Sequence, residues 1–166
     1  YEITGTEHEW KIEKGTGDNK NSFTVTPAIT GWTYGETASV PTGKAKYGTV
    51  RFVYSDEETG SYTETVPVNA GTHYMKAVVV GTESYDALES DPVLFTIAKA
   101  KVTLTADDIS GTYGSEIAPL TYTVSGRIVD GDDLGISLTT NATKGAKVGT
   151  YPIVITFTNN NTIISR

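Results

Sequence analysis

The side chains that could do chemistry in this 166-residue chain are carboxylates, lysines, amides and aromatic rings, because it has no Cys and only two His. Acidic groups gather at Asp56-Glu57-Glu58, across residues 86–91, at Asp107-Asp108 and at Asp130-Gly131-Asp132-Asp133. Convergent oxygens of this kind can hold Ca²⁺. The last cluster fails the EF-hand pattern, since Leu134 stands where the loop needs an oxygen donor and Asn141 where it ideally has a bidentate Glu. Asp107-Asp108, a short way past an expected joint between modules, is the better candidate, but solvated loop charge is the expectation for all four and no metal is predicted. Of the histidines, His8 lies in the N-terminal tail, while His73 alternates with Met75, Ala77 and Val79 and so faces a core. No G-x-S-x-G elbow, H-E-x-x-H or P-loop occurs. The sequence therefore predicts no catalytic residue, no cofactor and no enzyme.

Two further chemistries fit the residue types. A self-formed Lys–Asn or Lys–Asp amide would need a lysine from Lys44, Lys46 or Lys76 beside Asn69, or Lys144 or Lys147 beside Asn141 or Asn159. That reaction wants an apolar setting which lowers the lysine pKa, and most of these lysines alternate outward. Trp32, Tyr34, Tyr47, Tyr62, Tyr74 and Tyr85 could form a platform for sugars, but such rings commonly edge the core of small β-modules with the hydroxyl or indole N–H on a backbone partner. The ligand-binding residues therefore stay unknown at this level. Asn141 and Asn160 head sequons that matter only in a eukaryotic secretory pathway. Tyr34-Gly35 and Tyr113-Gly114 recur at equivalent places, and a glycine there implies positive φ or a close approach that a Cβ would block.

Whatever these residues do, β-structure must position them. Thr and Val recur in alternating runs and no helical apolar stripe is long enough to cover a sheet. A net charge of −7 with a pI near 4.8 disfavours nucleic acid and anionic membrane as partners. No apolar run of membrane-spanning length, signal peptide or sorting motif is present, so the chain reads as an internal fragment without membrane insertion.

The organising stretch is Phe95-Thr96-Ile97-Ala98-Lys99-Ala100-Lys101-Val102-Thr103-Leu104-Thr105, which reads as one module's last strand running almost directly into the next module's first. Landmarks repeat around it: Val102-Thr103-Leu104 answers Phe23-Thr24-Val25, Gly114 answers Gly35 and Gly149 answers Gly71, spaced 79, 79 and 78 positions apart. The expected domains are residues 1–21, a tail strand of a preceding repeat (Trp10-Lys11-Ile12-Glu13-Lys14) plus linker; 22–99, a first β-module; and 100–166, a second, truncated at its closing strand. Within them, strands are expected over 23–26, 47–55, 62–66, 72–80, 93–97, 119–124, 136–140, 150–157 and 162–164, with one helical turn over 85–90.

Gly31-Trp32-Thr33-Tyr34-Gly35-Glu36, Tyr47-Gly48-Thr49-Val50 and Val68-Asn69-Ala70-Gly71-Thr72-His73-Tyr74 resemble an Ig-like repeat of cell-wall-anchored proteins of Firmicutes. Thr112-Tyr113-Gly114-Ser115, Leu120-Thr121-Tyr122, Gly131-Asp132-Asp133 and Val148-Gly149-Thr150-Tyr151-Pro152-Ile153 are similar to the MBG (YGX-type) domain of bacterial adhesins. The resemblance implies an all-β fold of two tandem small β-sandwich (Ig-like) modules, with a β-grasp-like arrangement as alternative for the second. It implies a structural spacer of a secreted Gram-positive cell-surface protein, extracellular and cell-wall attached, that presents a distal binding domain. The partners are then neighbouring repeats of the same chain, with host glycan or glycoprotein as the partner of an adhesive alternative. A second alternative is an accessory domain of a carbohydrate-active enzyme.

Overall fold

The computed structural model describes residue 5 and residues 8–165, so residues 1–4, 6 and 7 of the expected tail lie outside the described residues. The chain is essentially all-β: among the described residues twelve strands are joined by loops, and a single 3-10 turn at Gly17–Asn19 sits in the polar run 15–21. Among the described residues no helix is long and apolar enough to cross a membrane. Residues cluster into two compact units, each drawn from several chain segments. Residues 31–39 and 67–72, which precede the boundary at 99/100 in the sequence reading, cluster with the second unit.

In the first unit β1 (Phe23–Ala28) pairs antiparallel with β3 (Thr42–Ala45), with register shifts on either side of Val25. Pro27, expected to end β1, lies within it and is buried, since irregular pairing tolerates a residue that has no N–H to give the ladder. β4 (Arg51–Ser55) pairs antiparallel with β5 (Gly71–Val79) from Arg51↔Val78 to Ser55↔Tyr74. The alternation along β5 is strict: His73, Met75, Ala77 and Val79 are buried, and their neighbours face out. Phe95, from β7 (Val93–Ala98), packs edge-on against Tyr54 at 6.2 Å between ring centroids.

Three expectations are corrected here. The strand over 62–66 reduces to one bridge, Tyr54↔Thr63. The helical turn over 85–90 is replaced by β6 (Leu88–Glu89), which pairs with Val78 and Val79 of β5 while the Ser90 hydroxyl accepts a hydrogen bond from the Ala77 N–H. Backbone groups beside an open strand edge are satisfied by pairing, which outweighs the weak helical preference of so short a run. Residues 10–14 form no strand: Trp10 and Ile12 are 90% and 82% exposed, and no ladder among the described residues reaches them.

The second unit is built on β8 (Ala100–Ala106), which follows β7 after the single residue Lys99. β8 lies between β9 (Tyr122–Gly126), antiparallel, and β12 (Thr162–Ser165), parallel from Thr162↔Ala100 to Ser165↔Thr103. A separate ribbon joins β10 (Ser137–Thr140) to β11 (Ile153–Thr156) in unbroken antiparallel register. Val102, Leu104, Leu134 and Ile155 form the core, with Ala106, Ile136 and Leu138 against it. The two-residue β2 (Trp32–Thr33) pairs in parallel with Ile97 and Ala98 at the end of β7.

Candidate functional site

The local feature that both halves of the sequence share is a four-residue turn. In Thr33-Tyr34-Gly35-Glu36 the Glu36 N–H donates to the Thr33 carbonyl at 2.9 Å, and in Thr112-Tyr113-Gly114-Ser115 the Ser115 N–H donates to the Thr112 carbonyl at 3.0 Å. Gly35 has φ 79° and Gly114 φ 84°, the left-handed conformation that a turn of this kind demands at its third residue. The expectation of positive φ is thus met at both. The turns differ in what surrounds them.

The first turn is engaged, within the second unit, by the loop from 127 to 135. That loop is held firmly: Leu134 is buried in the core, the Gly135 N–H donates to Asp133 Oδ1 at 2.8 Å, and Asn159 Nδ2 donates to the Asp133 carbonyl at 3.3 Å. So fixed, Asp132 Oδ1 accepts a 2.7 Å hydrogen bond from the Tyr34 hydroxyl, and Asn159 Nδ2 lies 3.5 Å from its other oxygen. The bond to Asp132, with burial and the carboxylate charge behind it, raises the Tyr34 pKa above the usual tyrosine value, partly opposed by Asn161. Val129 covers the adjacent glycine: a Cβ added to Gly35 would lie 2.2 Å from Val129 Cγ2. A second set of bonds runs through Asn161, whose Oδ1 accepts from the Ala70 N–H at 2.9 Å and whose Nδ2 donates to Asn69 Oδ1 at 3.2 Å.

The second turn is held on one side, where the Gly114 N–H donates to the Lys144 carbonyl at 3.1 Å, and is open on the other. Tyr113 is 72% exposed, and a Cβ on Gly114 would meet no atom within 4 Å. Beside it lies a cavity of about 560 Å³, walled by residues 106–113 and 115–118 on one side and by 140, 142 and 146–153 on the other. Tyr113, Tyr151, Asp107, Asp108, Glu116 and Lys147 give it its polar and aromatic character. This volume is within the range of small-ligand sites.

The other residues singled out in the sequence fall as follows. Asp107 Oδ2 accepts from the Thr121 hydroxyl at 2.6 Å, and Asp108 is exposed. Among the described residues no three His, Cys, Asp or Glu side chains converge as a metal site would need. His73 Nδ1 stands 2.8 Å from Asp56 Oδ1 and its ring tilts over Phe95 at 5.6 Å, the core-facing placement its alternation implied; His8 is exposed. Lys76 is 2.6 Å from Glu89 Oε1 and over the Tyr62 ring at 4.7 Å. The Glu89 hydrogen bond raises the Lys76 pKa, the reverse of what amide formation needs. Lys44, Lys46, Lys144 and Lys147 are exposed, in water rather than in an apolar setting, as is Asn141. Lys144 pairs with Glu116 at 2.9 Å.

The aromatic candidates partition instead of forming one platform. Tyr47 stacks on Tyr85 at 6.2 Å with 21° between ring planes, Tyr62 donates its hydroxyl to the Glu58 carbonyl at 2.9 Å, and Trp32, Tyr34 and Tyr74 are half-buried. The pairs that sequence reasoning missed are Tyr34 with Asp132 and Asn69 with Asn161, 98 and 92 positions apart. The Asp-Gly-Asp-Asp run was the visible signal for the first, although it read as a solvated turn. No curated protein and no solved structure matches the chain. The family model described as MBG domain (YGX type) matches residues 102–162, the stretch that holds the open Tyr113-Gly114 turn and most of the second unit's core.

Proposed function

We propose that this chain is a spacer segment of a bacterial cell-surface protein, extracellular and cell-wall attached, that carries load between the wall and a distal binding domain. The observation that supports it best is the parallel ladder between β8 and β12, the strands that bracket the stretch matched by the MBG model, residues 102–162. Tension along the chain enters at the Ala100 end of β8 and leaves beyond Ser165 of β12. In a parallel pair these two ends lie at opposite ends of the ladder, so the hydrogen bonds are loaded together in shear instead of opening one at a time. The accompanying fold reading is two tandem sandwich-like modules, the second with the parallel first and last strands of a β-grasp-like arrangement. Single-molecule pulling on the full chain tests this. The unit holding β8 and β12 is expected to give the higher unfolding force, and Val102→Pro, which removes one N–H from β8, to lower it. Equal forces in the native and Pro chains would refute the load-bearing role.

A second reading, direct adhesion to a host glycan or glycoprotein, is favoured by one observation: the cavity of about 560 Å³ with Tyr113 and Tyr151 on its wall. Rings and carboxylates together are what sugar faces and hydroxyls need. A glycan array and a mucin-binding assay separate the readings, since a spacer gives no saturable binding.

A further inference from the structure

We infer that the Tyr113-Gly114 turn is a docking surface for a further β-module of the same kind placed after this one in tandem, received as the Tyr34-Gly35 turn receives the 129–133 loop. The inference rests on the spacer reading to the extent that it assigns a repeated neighbour as the partner. Its basis is a comparison inside one molecule. The two turns have the same Thr-Tyr-Gly sequence, the same closing hydrogen bond at 2.9 and 3.0 Å, and the same glycine conformation at φ 79° and 84°. One is covered by Val129 and bonded by Asp132 through its tyrosine hydroxyl; the other presents its tyrosine 72% exposed and leaves the Cβ side of its glycine uncovered, while that glycine's N–H donates to the Lys144 carbonyl at 3.1 Å.

The occupant follows from the covered turn. It must offer a branched apolar side chain to lie over the glycine and, three positions later, a carboxylate within reach of the tyrosine hydroxyl, as Val129 and Asp132 do. A free second copy of this chain does not qualify, because its Val129 and Asp132 are already engaged by its own Tyr34-Gly35 turn. A module joined in series does qualify. Tethering supplies the high effective concentration that one hydrogen bond and one apolar contact require, since neither would hold partners in dilute solution. On this account the Tyr-Gly pair is a socket, and the loop containing Asp132 is the matching plug.

The test extends the full chain at its C-terminal end with a second copy of residues 100–166. The rate of Tyr113 nitration by tetranitromethane is then compared between the extended and the original chain, with Tyr34 as the internal standard for a covered tyrosine. Docking predicts that Tyr113 nitration slows by about fivefold or more, the factor that one hydrogen bond of about 1 kcal/mol implies. Asp132→Ala in the appended copy alone restores the original rate. Tyr113 reacting equally in both chains overturns the inference. So does an appended copy whose β8 and β12 amides show no hydrogen-exchange protection, because the socket would then fail to support its plug. Saturable mucin binding by the original chain would refute the spacer reading while leaving the nitration result to decide docking by itself.

Discussion

Replacing each turn glycine by alanine separates two costs that the sequence makes look identical. Gly35→Ala and Gly114→Ala both force a Cβ into left-handed backbone, at φ 79° and 84°, a cost of about 1–2 kcal/mol in either place. Only at position 35 does the new methyl meet a neighbour, Val129 Cγ2 at 2.2 Å. Valine is stiff about χ1, so relief must come from the 127–135 loop, which Leu134 anchors in the core. Overpacking of this sort adds about 1–3 kcal/mol, which puts Gly35→Ala at roughly 2–5 kcal/mol against about 1–2 kcal/mol for Gly114→Ala. Trp32 is half-buried in the second unit and Trp10 is 90% exposed, so in a Trp10→Phe background urea unfolding followed by tryptophan fluorescence reports that unit. At an m-value near 2 kcal/mol/M the midpoint falls by roughly 1–2.5 M for Gly35→Ala and by under about 1 M for Gly114→Ala. Adding Val129→Ala to Gly35→Ala should recover about 1–3 kcal/mol as a coupling between the sites. Equal losses at the two glycines, or no recovery on trimming Val129, would refute the reasoning.

Tyr34→Phe removes the donor to Asp132 and is expected to lower stability by about 1 kcal/mol, modest because the pair is only partly shielded from water. Its pH signature has a definite sign. Tyr34, Tyr54 and Tyr62 are all raised above the ordinary value of 10.0, Tyr34 mainly by the Asp132 bond and the other two mainly by burial, so the folded chain holds these protons longer than the unfolded one. Their contribution is complete below pH 10 and is lost as pH rises through the folded values; the alkaline slope of urea stability should be shallower in Tyr34→Phe. Leu104→Ala, at a fully buried position of the second core, should cost about 2–5 kcal/mol in the Trp32 transition. A loss under about 1 kcal/mol would contradict the described packing. Excess Ca²⁺ or EDTA should leave Tm unchanged, because Asp132 and Asp133 already accept hydrogen bonds from Tyr34, Asn159 and Gly135; a rise of several degrees with Ca²⁺ would reassign the acidic loops.

Period-two alternation made β5 and β11 legible: His73, Met75, Ala77 and Val79 are buried in turn, and Ile155 is buried between exposed Val154 and Thr156. The closely set β7 and β8 could be read because no Gly or Pro separates Phe95 from Leu104. What escaped was whatever depended on partners distant in sequence. β3 carries Gly43 and Lys44 and has little apolar signal of its own; it forms because β1 lies beside it. Tyr62 and its neighbours have the composition of a strand, yet among them only Thr63 forms a cross-strand bridge, to Tyr54. The turn glycines declared their backbone conformation, but nothing local distinguished Tyr34, whose hydroxyl is claimed from 98 positions away, from Tyr113.

The pairing of β12 with β8 also sets a timetable for synthesis. Thr162 stands opposite Ala100, so β8 leaves the ribosome well before its parallel neighbour has been made. At about 5–20 residues per second the wait is roughly 3–12 s. During that interval Val102 and Leu104 await part of the surroundings that will cover them, and the non-local ladder closes late, a topology associated with slow folding and exposure to aggregation. The threonines alternating with these residues, Thr103 and Thr105, keep the waiting strand from presenting apolar side chains on both faces.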